Sequence, residues 1–388
     1  MGWRRNIINE LYNVEDKLDI AWKRKLQITK FKDKRRSDIF SKVVLTDEQK
    51  NEIDTIYRDN YGEKIPYVWH RHYTAFTNRF DACYFPELLY GPEFEHFMNL
   101  DKAYNRVLED KNITPLLAKQ IGVLTPSVII QASNGIIMDG KYQQLTLPEA
   151  ISILNNIGDV FCKPTILTGS GKGCRKLFIK NGVDEYSGDS IYTILNELGN
   201  DFLIQELLKC HSSIEKIYSQ SVNTFRVITY RWKDNVYTTP SIMRIGSGGG
   251  YLDNAHAGGI FVAIDDNGSL HEQAFTEFRE VYREHPNTNV KFINYKIPDF
   301  PKVLTIAKRV HQLMPEIGVV NWDFTINETG EPVLIEANII DGGIWVVQMA
   351  HGCGPFGEKT PEILRWMRMM KKIKVSERRD YAFGRAFE

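Results

Sequence analysis

Residues 319 to 338 constrain the chain more than any other stretch. Val319-Val320-Asn321-Trp322-Asp323-Phe324-Thr325-Ile326 and Pro332-Val333-Leu334-Ile335-Glu336-Ala337-Asn338 are both rich in strand formers. Between them lies Asn327-Glu328-Thr329-Gly330-Glu331, a short polar turn with a glycine, so the stretch reads as a β-hairpin. Side chains alternate along a strand, which puts Asn321 with Asp323 on one face of the first run and Glu336 with Asn338 on one face of the second. If the hairpin closes with those faces aligned, two carboxylates and two amides converge on one patch. An all-oxygen set suits Mg²⁺, which takes few protein ligands and keeps room for phosphate oxygens. An edge hairpin with its polar side in water carries the same pattern, so the upstream residues have to decide.

Upstream, cations and a glycine loop appear in order. Asp110-Lys111-Asn112 opens a helix that runs to Gly122. Val128-Ile129-Ile130 and Ile136-Ile137-Met138 flank the turn Ser133-Asn134-Gly135. A helix from Pro148 to Ile157 leads into Val160-Phe161-Cys162-Lys163-Pro164, a strand that ends in lysine. Thr168-Gly169-Ser170-Gly171-Lys172-Gly173 follows, and the backbone N–H groups of such a loop can wrap a polyphosphate. The loop joins two strands, since Lys176-Leu177-Phe178-Ile179-Lys180 comes next and turns at Asn181-Gly182. It is not a Walker A loop, because the GxxxxGK[ST] spacing is absent and no helix follows directly; nor is it a Rossmann fingerprint.

The run Phe202-Leu203-Ile204-Gln205-Glu206-Leu207-Leu208 reads as a buried strand with a polar end. Thr224 to Tyr230 and Tyr237 to Arg244 make a further hairpin. Arg226 and Arg244 on it either face solvent or point into a cleft, where guanidinium forks match carboxylate and phosphate. Gly246-Ser247-Gly248-Gly249-Gly250 opens a long loop through Asp253-Asn254 to Gly258-Gly259, and loops of that length are usually functional or disordered. Ile260 to Asp265 is a strand, and residues 300 to 313 are a helix that leads into the hairpin.

The first hundred residues have a different character. Ile7, Leu11, Val14, Leu18 and Ala21 recur at three- and four-residue spacing, which predicts an amphipathic helix over residues 3 to 26. Thr46 with Gln49 makes a capping box for a second helix. Residues 61 to 98 are dense in aromatics and histidine. His70 and His72 lack a third ligand at useful spacing, so packing explains them better than a metal does. The expected organisation is a mostly helical region over 1–100, a main domain over 101–374 and a basic tail over 375–388.

Charge and cysteine usage limit the surroundings. The net charge is zero, yet residues 1 to 36 hold eleven Lys/Arg against five Asp/Glu, and residues 359 to 388 hold nine against four. Basic ends fit an anionic surface or simply solvated helix faces. The helix at 361–374 sets Arg365, Arg368, Lys371, Lys372 and Lys374 beside Trp366, Met367, Met369, Met370 and Ile373, a pattern shared by interfacial helices and by helices packed on a core. No run of eighteen apolar residues exists, and no apolar segment follows the basic N-terminus, so neither a membrane span nor a secretory signal is expected. The five cysteines, Cys83, Cys162, Cys174, Cys210 and Cys353, form no CxxC pair and read as thiols of a reducing cytosol.

The ordered set resembles the ATP-grasp superfamily over residues 101 to 370: a lysine helix, a strand lysine, a glycine loop, Gln205-Glu206-Leu207-Leu208, an arginine strand and the closing hairpin. The finer resemblance is to the sugar-transfer-associated ATP-grasp family, with teichuronopeptide-biosynthesis and α-L-glutamate-ligase-like proteins. It is carried by His70 and Tyr84 in the helical head, Asn223-Thr224-Phe225-Arg226, Asp253-Asn254 and Gly258-Gly259. It implies an α+β ATP-grasp fold, two α+β subdomains gripping ATP, with a mostly helical N-terminal region. It also implies roles. Lys111 and Lys163 are the nucleotide lysines, Lys163 on the α- and β-phosphates. Gly169, Ser170, Gly171, Lys172 and Gly173 close over the phosphates. Gln205, Glu206, Leu207 and Leu208 meet adenine, with an acid or histidine such as His211 near ribose. Asp323, Glu336 and Asn338 hold Mg²⁺, and Arg226 and Arg244 lie near the transferred phosphate or the acyl substrate, making Lys163, Arg226 and Arg244 the catalytic cations.

The activity implied is ATP-dependent carboxylate–amine ligation through an acylphosphate, with ATP and Mg²⁺ as cofactors. The substrates are a small-molecule or glycan carboxylate and an amine, on a cell-surface polysaccharide or its precursor. A kinase-like phosphotransferase, or a silent ATP-binding partner of a glycosyltransferase, are the alternatives. The expected place is the cytoplasm, or the inner face of the membrane if an anionic surface or a glycosyltransferase is the partner. No nucleic-acid partner is expected.

Overall fold

The computed structural model of the chain describes residues 2–166 and 171–387. Two antiparallel sheets organise it. The smaller is built from β1 (Val128–Ser133), β2 (Ile136–Asp139), β3 (Val160–Pro164), β4 (Arg175–Leu177) and, after the short pair β5 (Ile179–Lys180) and β6 (Val183–Asp184), β7 (Phe202–Glu206). Its order is β2-β1-β7-β3-β4. Helices Leu147–Ile157 and Ile191–Leu198 cover one side, burying Ala150, Leu154, Ile191, Ile194 and Leu195 against Ile130, Val160, Cys162 and Ile204. The first of these helices starts at a capping box: Thr146 N and hydroxyl both donate to Glu149, satisfying a helix start that otherwise leaves unpaired N–H groups.

The larger sheet holds β8 (Thr224–Trp232), β9 (Asn235–Thr238), β10 (Ser241–Ile245), β11 (Ile260–Ile264), β12 (Leu270–Phe275), β13 (Val281–Tyr282), β14 (Val319–Ile326) and β15 (Pro332–Asn338). Its order is β13-β12-β11-β10-β8-β14-β15, with β9 also on β8. The run expected as one strand from Tyr237 to Arg244 is split at Thr239-Pro240, because proline cannot donate to the ladder. Both pieces still pair with β8.

Both faces of this sheet are buried, and strand alternation sorts the residues. Phe225, Val227, Val320, Trp322 and Phe324 pack under helix Phe300–Gln312. Ile228, Tyr230, Trp232, Ile242 and Val319 face the N-terminal helical region together with helices Trp345–His351 and Thr360–Met370. Arg226, Arg244 and Asp323 have the parity of that second set, so they emerge on the same face. They lie where the helical cover ends and the smaller sheet approaches.

The helical region decides several readings that the sequence left open and reverses one, the orientation of the first helix. His70 and His72 are buried among aromatics, and burial pushes their pKa values down to about 4 and about 3, so they are neutral packing groups. Helix Thr360–Met370 spends Ile363, Trp366, Met367 and Met370 on the core, while Lys371 pairs with Glu63 at 2.6 Å and Arg365 donates to Asn60, so its apolar side is not available to a bilayer. The chain after it packs too: Arg378 is buried on Asp16 at 2.7 Å, and Ala382 and Phe383 join the core. The first helix, α1 (Gly2–Lys30), packs through its polar side. Asp16 binds His96 and Arg378, and Arg24 binds Glu93 and Tyr61, while Leu11, Leu18 and Trp22 stay exposed.

Candidate active site

The hairpin β14–β15 sets the floor of a cleft between the two sheets. Its register pairs Asp323 with Glu336 and Asn321 with Asn338, and shifts between Asp323 and Phe324. The expected face is formed by Asp323, Glu336 and Asn338. Asn321 shares it but is used structurally: its amide donates to Gly343 O at 3.1 Å, and it does not line the cleft.

Asp323 is the electrostatic centre. β8 lies beside β14 with Arg226 opposite Asp323, and β10 lies beyond it. Arg226 Nε donates to Oδ1 at 2.8 Å, and Arg244 reaches Oδ2 at 2.9 Å. Burial pushes the Asp323 carboxyl up, but the two guanidiniums outweigh it and hold its pKa below the usual value. Arg244 is itself fixed by Thr224 Oγ1, which accepts from both Nε and Nη2, by Asn254 Oδ1 and by Asp253. Asp253 also accepts from the Thr224 backbone N–H and hydroxyl. A buried pair of this kind holds geometry rather than adding much stability, because desolvation offsets the Coulomb gain.

The two lysines come from separate elements. Lys163, at the end of β3, is 4% exposed, with Nζ 3.4 Å from Ile335 O. Burial pushes its pKa down, assisted by Lys111 and opposed by Glu336. Lys111 precedes helix Ile113–Gln120 and sets Nζ 3.4 Å from Glu336 Oε1. These cations meet the carboxylates at one end of the cleft.

The smaller sheet, which carries Lys163, also supplies the rest of that wall of the cleft through β7. β7 ends at Glu206, so Leu207 and Leu208 leave the ladder and line the cleft with Gln205, Glu206 and Phe161. Gln205 is held by donating to Pro126 O at 3.1 Å, and Glu206 accepts from the Ser127 hydroxyl at 2.6 Å. Gly171, Lys172 and Cys174 form one lip. Gly171 and Gly173 adopt positive φ (74° and 78°), and a Cβ on Gly171 would sit 2.9 Å from Leu252, so glycine permits the two lips to meet. Tyr251 of the glycine-rich loop completes that contact by donating to Cys174 O. Gly169 and Ser170, expected in the phosphate loop, lie outside the described residues.

His211 is not brought to the cleft. Its Nδ1 accepts from Ser213 N and caps helix Ser212–Glu215, which orients the ring by local hydrogen bonding. The acid at that end is Glu215, whose Oε1 accepts from Cys210 N and which lines the cleft. Sequence reasoning also missed a set of three glutamates. Glu109 accepts from Ile340 N at 3.0 Å, Glu95 from Asp341 N and Gly342 N at 2.9 and 2.8 Å, and Glu87 from Ile344 N at 2.9 Å. They fix the loop that follows Asn338. A π-helical turn over Tyr90–Glu95 helps aim Glu95, but nothing in the sequence pattern marks it.

Whether a divalent cation fits can be judged from lone pairs. Asp323 Oδ2 is occupied by two guanidiniums and by Asn338 Nδ2 at 3.4 Å, but Oδ1 carries only Arg226 Nε. A carboxylate oxygen accepts about two hydrogen bonds. Oδ1, the Glu336 oxygen turned from Lys111 and the Asn338 amide oxygen therefore keep accepting capacity in the cleft, and hard oxygen donors of this kind fit Mg²⁺.

Two gripping sheets with a nucleotide-sized cleft between them define an ATP-grasp protein. The chain belongs to the sugar-transfer associated ATP-grasp family, whose model matches residues 91–361. ATP is accordingly its nucleotide. Solved structures with a similar fold include D-alanyl-alanine synthetase A from Vibrio cholerae, at 14% identity and TM-score 0.40, covering 69% of this chain and 66% of that one. The ATP-grasp ligase PsnB with its minimal precursor matches at 14% identity and TM-score 0.39, over 71% and 63%. D-alanine–D-alanine ligase from Bacillus anthracis matches at 14% and 0.38, over 71% and 70%. The chain thus spans about two thirds of the length of these proteins. No curated protein matches.

Proposed function

We propose that this chain is a carboxylate–amine ligase that works through an acylphosphate, and that its acceptor is a cell-surface polysaccharide or a sugar precursor of one. The observation that carries the reading is the meeting of four cations, Lys111, Lys163, Arg226 and Arg244, with Asp323, Glu336 and Asn338 in one cleft. The chemistry requires two anions to approach: a carboxylate oxygen attacks the γ-phosphorus of ATP, and ADP leaves. An amine then attacks the carbonyl carbon, and phosphate leaves with the oxygen that the carboxylate contributed.

Each residue has a part in that sequence. Asp323, Glu336 and Asn338 would hold Mg²⁺, which would supply positive charge against the approaching anions. Lys163 and Lys111 bind the phosphates from the side of the smaller sheet. Arg226, paired with Asp323, and Arg244, fixed by Thr224, Asp253 and Asn254, keep Asp323 ionised and offer positive charge to the reacting oxygens. Charges set in advance in a dry site are the largest expected contribution to rate. The lips at Gly171 and Tyr251 exclude water, which would hydrolyse an acylphosphate.

The sugar acceptor is supported by the family's sugar-transfer association alone. No described helix is long and apolar enough to cross a membrane, so contact with a membrane-bound acceptor or a glycosyltransferase would use the surface. The test is ADP release with a panel of uronic-acid sugars and amino acids. Turnover that needs both a carboxylate and an amine supports the reading. A phosphorylated hydroxyl with no amide formed would make the chain a kinase, and ATP binding without any turnover would make it a silent partner.

A further inference from the structure

Helix α1 packs the opposite way round from an ordinary surface helix. At 3.6 residues per turn, Ile7, Leu11, Val14, Leu18 and Trp22 fall within an arc of about 80°. All five are exposed, Leu11 at 63%, Leu18 at 65% and Trp22 at 58%. Asn13, Asp16, Ile20 and Arg24 occupy the opposite arc and face the protein. Asn13 Oδ1 accepts from Val375 N, Asp16 is 7% exposed between His96 and Arg378, and Arg24 joins Glu93 and Tyr61. These buried charges fix the orientation, because rolling the helix to bury the leucines would strand Asp16 and Arg378 without partners. The stripe is therefore held outward, and a contiguous apolar patch of that kind marks an interaction surface.

We infer that the stripe is covered by the same stripe of a second copy of this chain, running antiparallel. Charge along its edges favours this occupant. Glu10 and Lys17 flank the stripe on one edge, and Lys25 falls within the stripe's arc near the C-terminal end of the helix; all three are exposed. A two-fold pairing centred near Leu18 brings Glu10 of each copy within a turn of Lys25 of the other. It lays Leu18 on Leu18 and Val14 on Trp22. A parallel pairing sets Glu10 near Glu10 and Glu15, which opposes it. An anionic leaflet would meet Glu10 and Glu15 along with Lys17 and Lys25 at the stripe, a balance that offers it no net attraction. A two-fold contact is self-complementary in the required way: if residue i meets j, then j meets i. None of these residues touches the ATP cleft, so the inference stands apart from the proposed ligase activity.

The test is the mass of the full chain in solution by light scattering across a concentration series. The wild type is expected to reach the mass of two chains. Leu18→Glu is expected to weaken association by about a hundredfold, since two leucines lose their burial. Its far-UV circular dichroism and ATP turnover should match the wild type, which separates lost pairing from lost folding. Glu10→Lys and Lys25→Glu should each weaken association, and the double variant Glu10→Lys/Lys25→Glu should recover it, an outcome only antiparallel self-pairing yields. A single-chain mass at every concentration overturns the inference. So does a dimer that Leu18→Glu leaves intact, a double swap that fails to rescue, or a wild-type monomer that pellets with anionic vesicles.

Discussion

Replacing Lys163 by methionine should move stability and nucleotide affinity in opposite directions. The ammonium is buried, its Nζ reaches one carbonyl oxygen at 3.4 Å, and Lys111 lies close enough to press its pKa down together with burial. Methionine keeps most of the stem and removes the charge. A pKa held below its ordinary value means that the fold disfavours the charged form, so removing the charge should leave stability unchanged or raise it by about 1 kcal/mol or more. Each kcal/mol shifts the midpoint by roughly 2–4 °C for a domain of about 150–250 residues, so the melting temperature without nucleotide should hold or rise by a few degrees. With ATP the sign reverses. A charge-assisted hydrogen bond to phosphate is worth about 1.5–3 kcal/mol, or on the order of ten- to a hundred-and-fifty-fold in Kd. Thermal melts without nucleotide and titration calorimetry with Mg²⁺ and ATP measure the two quantities. A variant that melts lower and binds ATP like the wild type would refute the assignment of Lys163 as a phosphate cation.

Other substitutions read different parts of the site. Glu336→Gln should keep the fold and lower turnover by about tenfold to a thousandfold, because an amide is a poorer ligand for a hard cation; unchanged turnover at saturating Mg²⁺ would move the metal elsewhere. Asn99→Ala should destabilise by about 3 kcal/mol or more in chemical denaturation. The Asn99 amide serves Gly318 N, Val319 N, Val319 O and Ile339 O, and all four lose their partner. Burial pushes the Glu87 carboxyl up to about 7 from its ordinary 4.5, against the hydrogen bond from Ile344 N. A folded pKa above the unfolded one means that the fold holds the extra proton, so stability should fall as pH rises from about 4.5 through about 7, by at most about 3 kcal/mol. Melts of Glu87→Gln across that window should show a flatter slope than the wild type, and an equal slope would contradict this.

Local chemistry was legible in the sequence, and distant partnership was not. The hairpin at 319–338, the split at Pro240 aside, and the strand ending at Lys163 follow from alternation and turn residues. The capping box at Thr46 closes as a short-range pattern does, while the reading of Pro148 as the helix start misses the one at Thr146. Alternation also brought Asp323 and Glu336 together once the register was set. What failed depended on contacts far along the chain. The apolar spacing in α1 marks a stripe but not its direction, because Arg378 and His96 decide which side is buried. Glu87, Glu95 and Glu109 look like ordinary surface carboxylates until their backbone partners at 340–344 are placed beside them. His211 is the exception, a local one: its ring accepts from Ser213 N and so turns to its own helix.

The central claim is that a carboxylate is activated by phosphoryl transfer and then captured by an amine. It is tested most directly with carboxylate substrates labelled with ¹⁸O in both oxygens, incubated with ATP, Mg²⁺ and a panel of amines, the products read by mass spectrometry. The account predicts ADP, inorganic phosphate carrying one ¹⁸O atom, and an amide lighter by one water than its two components. Phosphate free of label, or a phosphate ester in place of the amide, would contradict it.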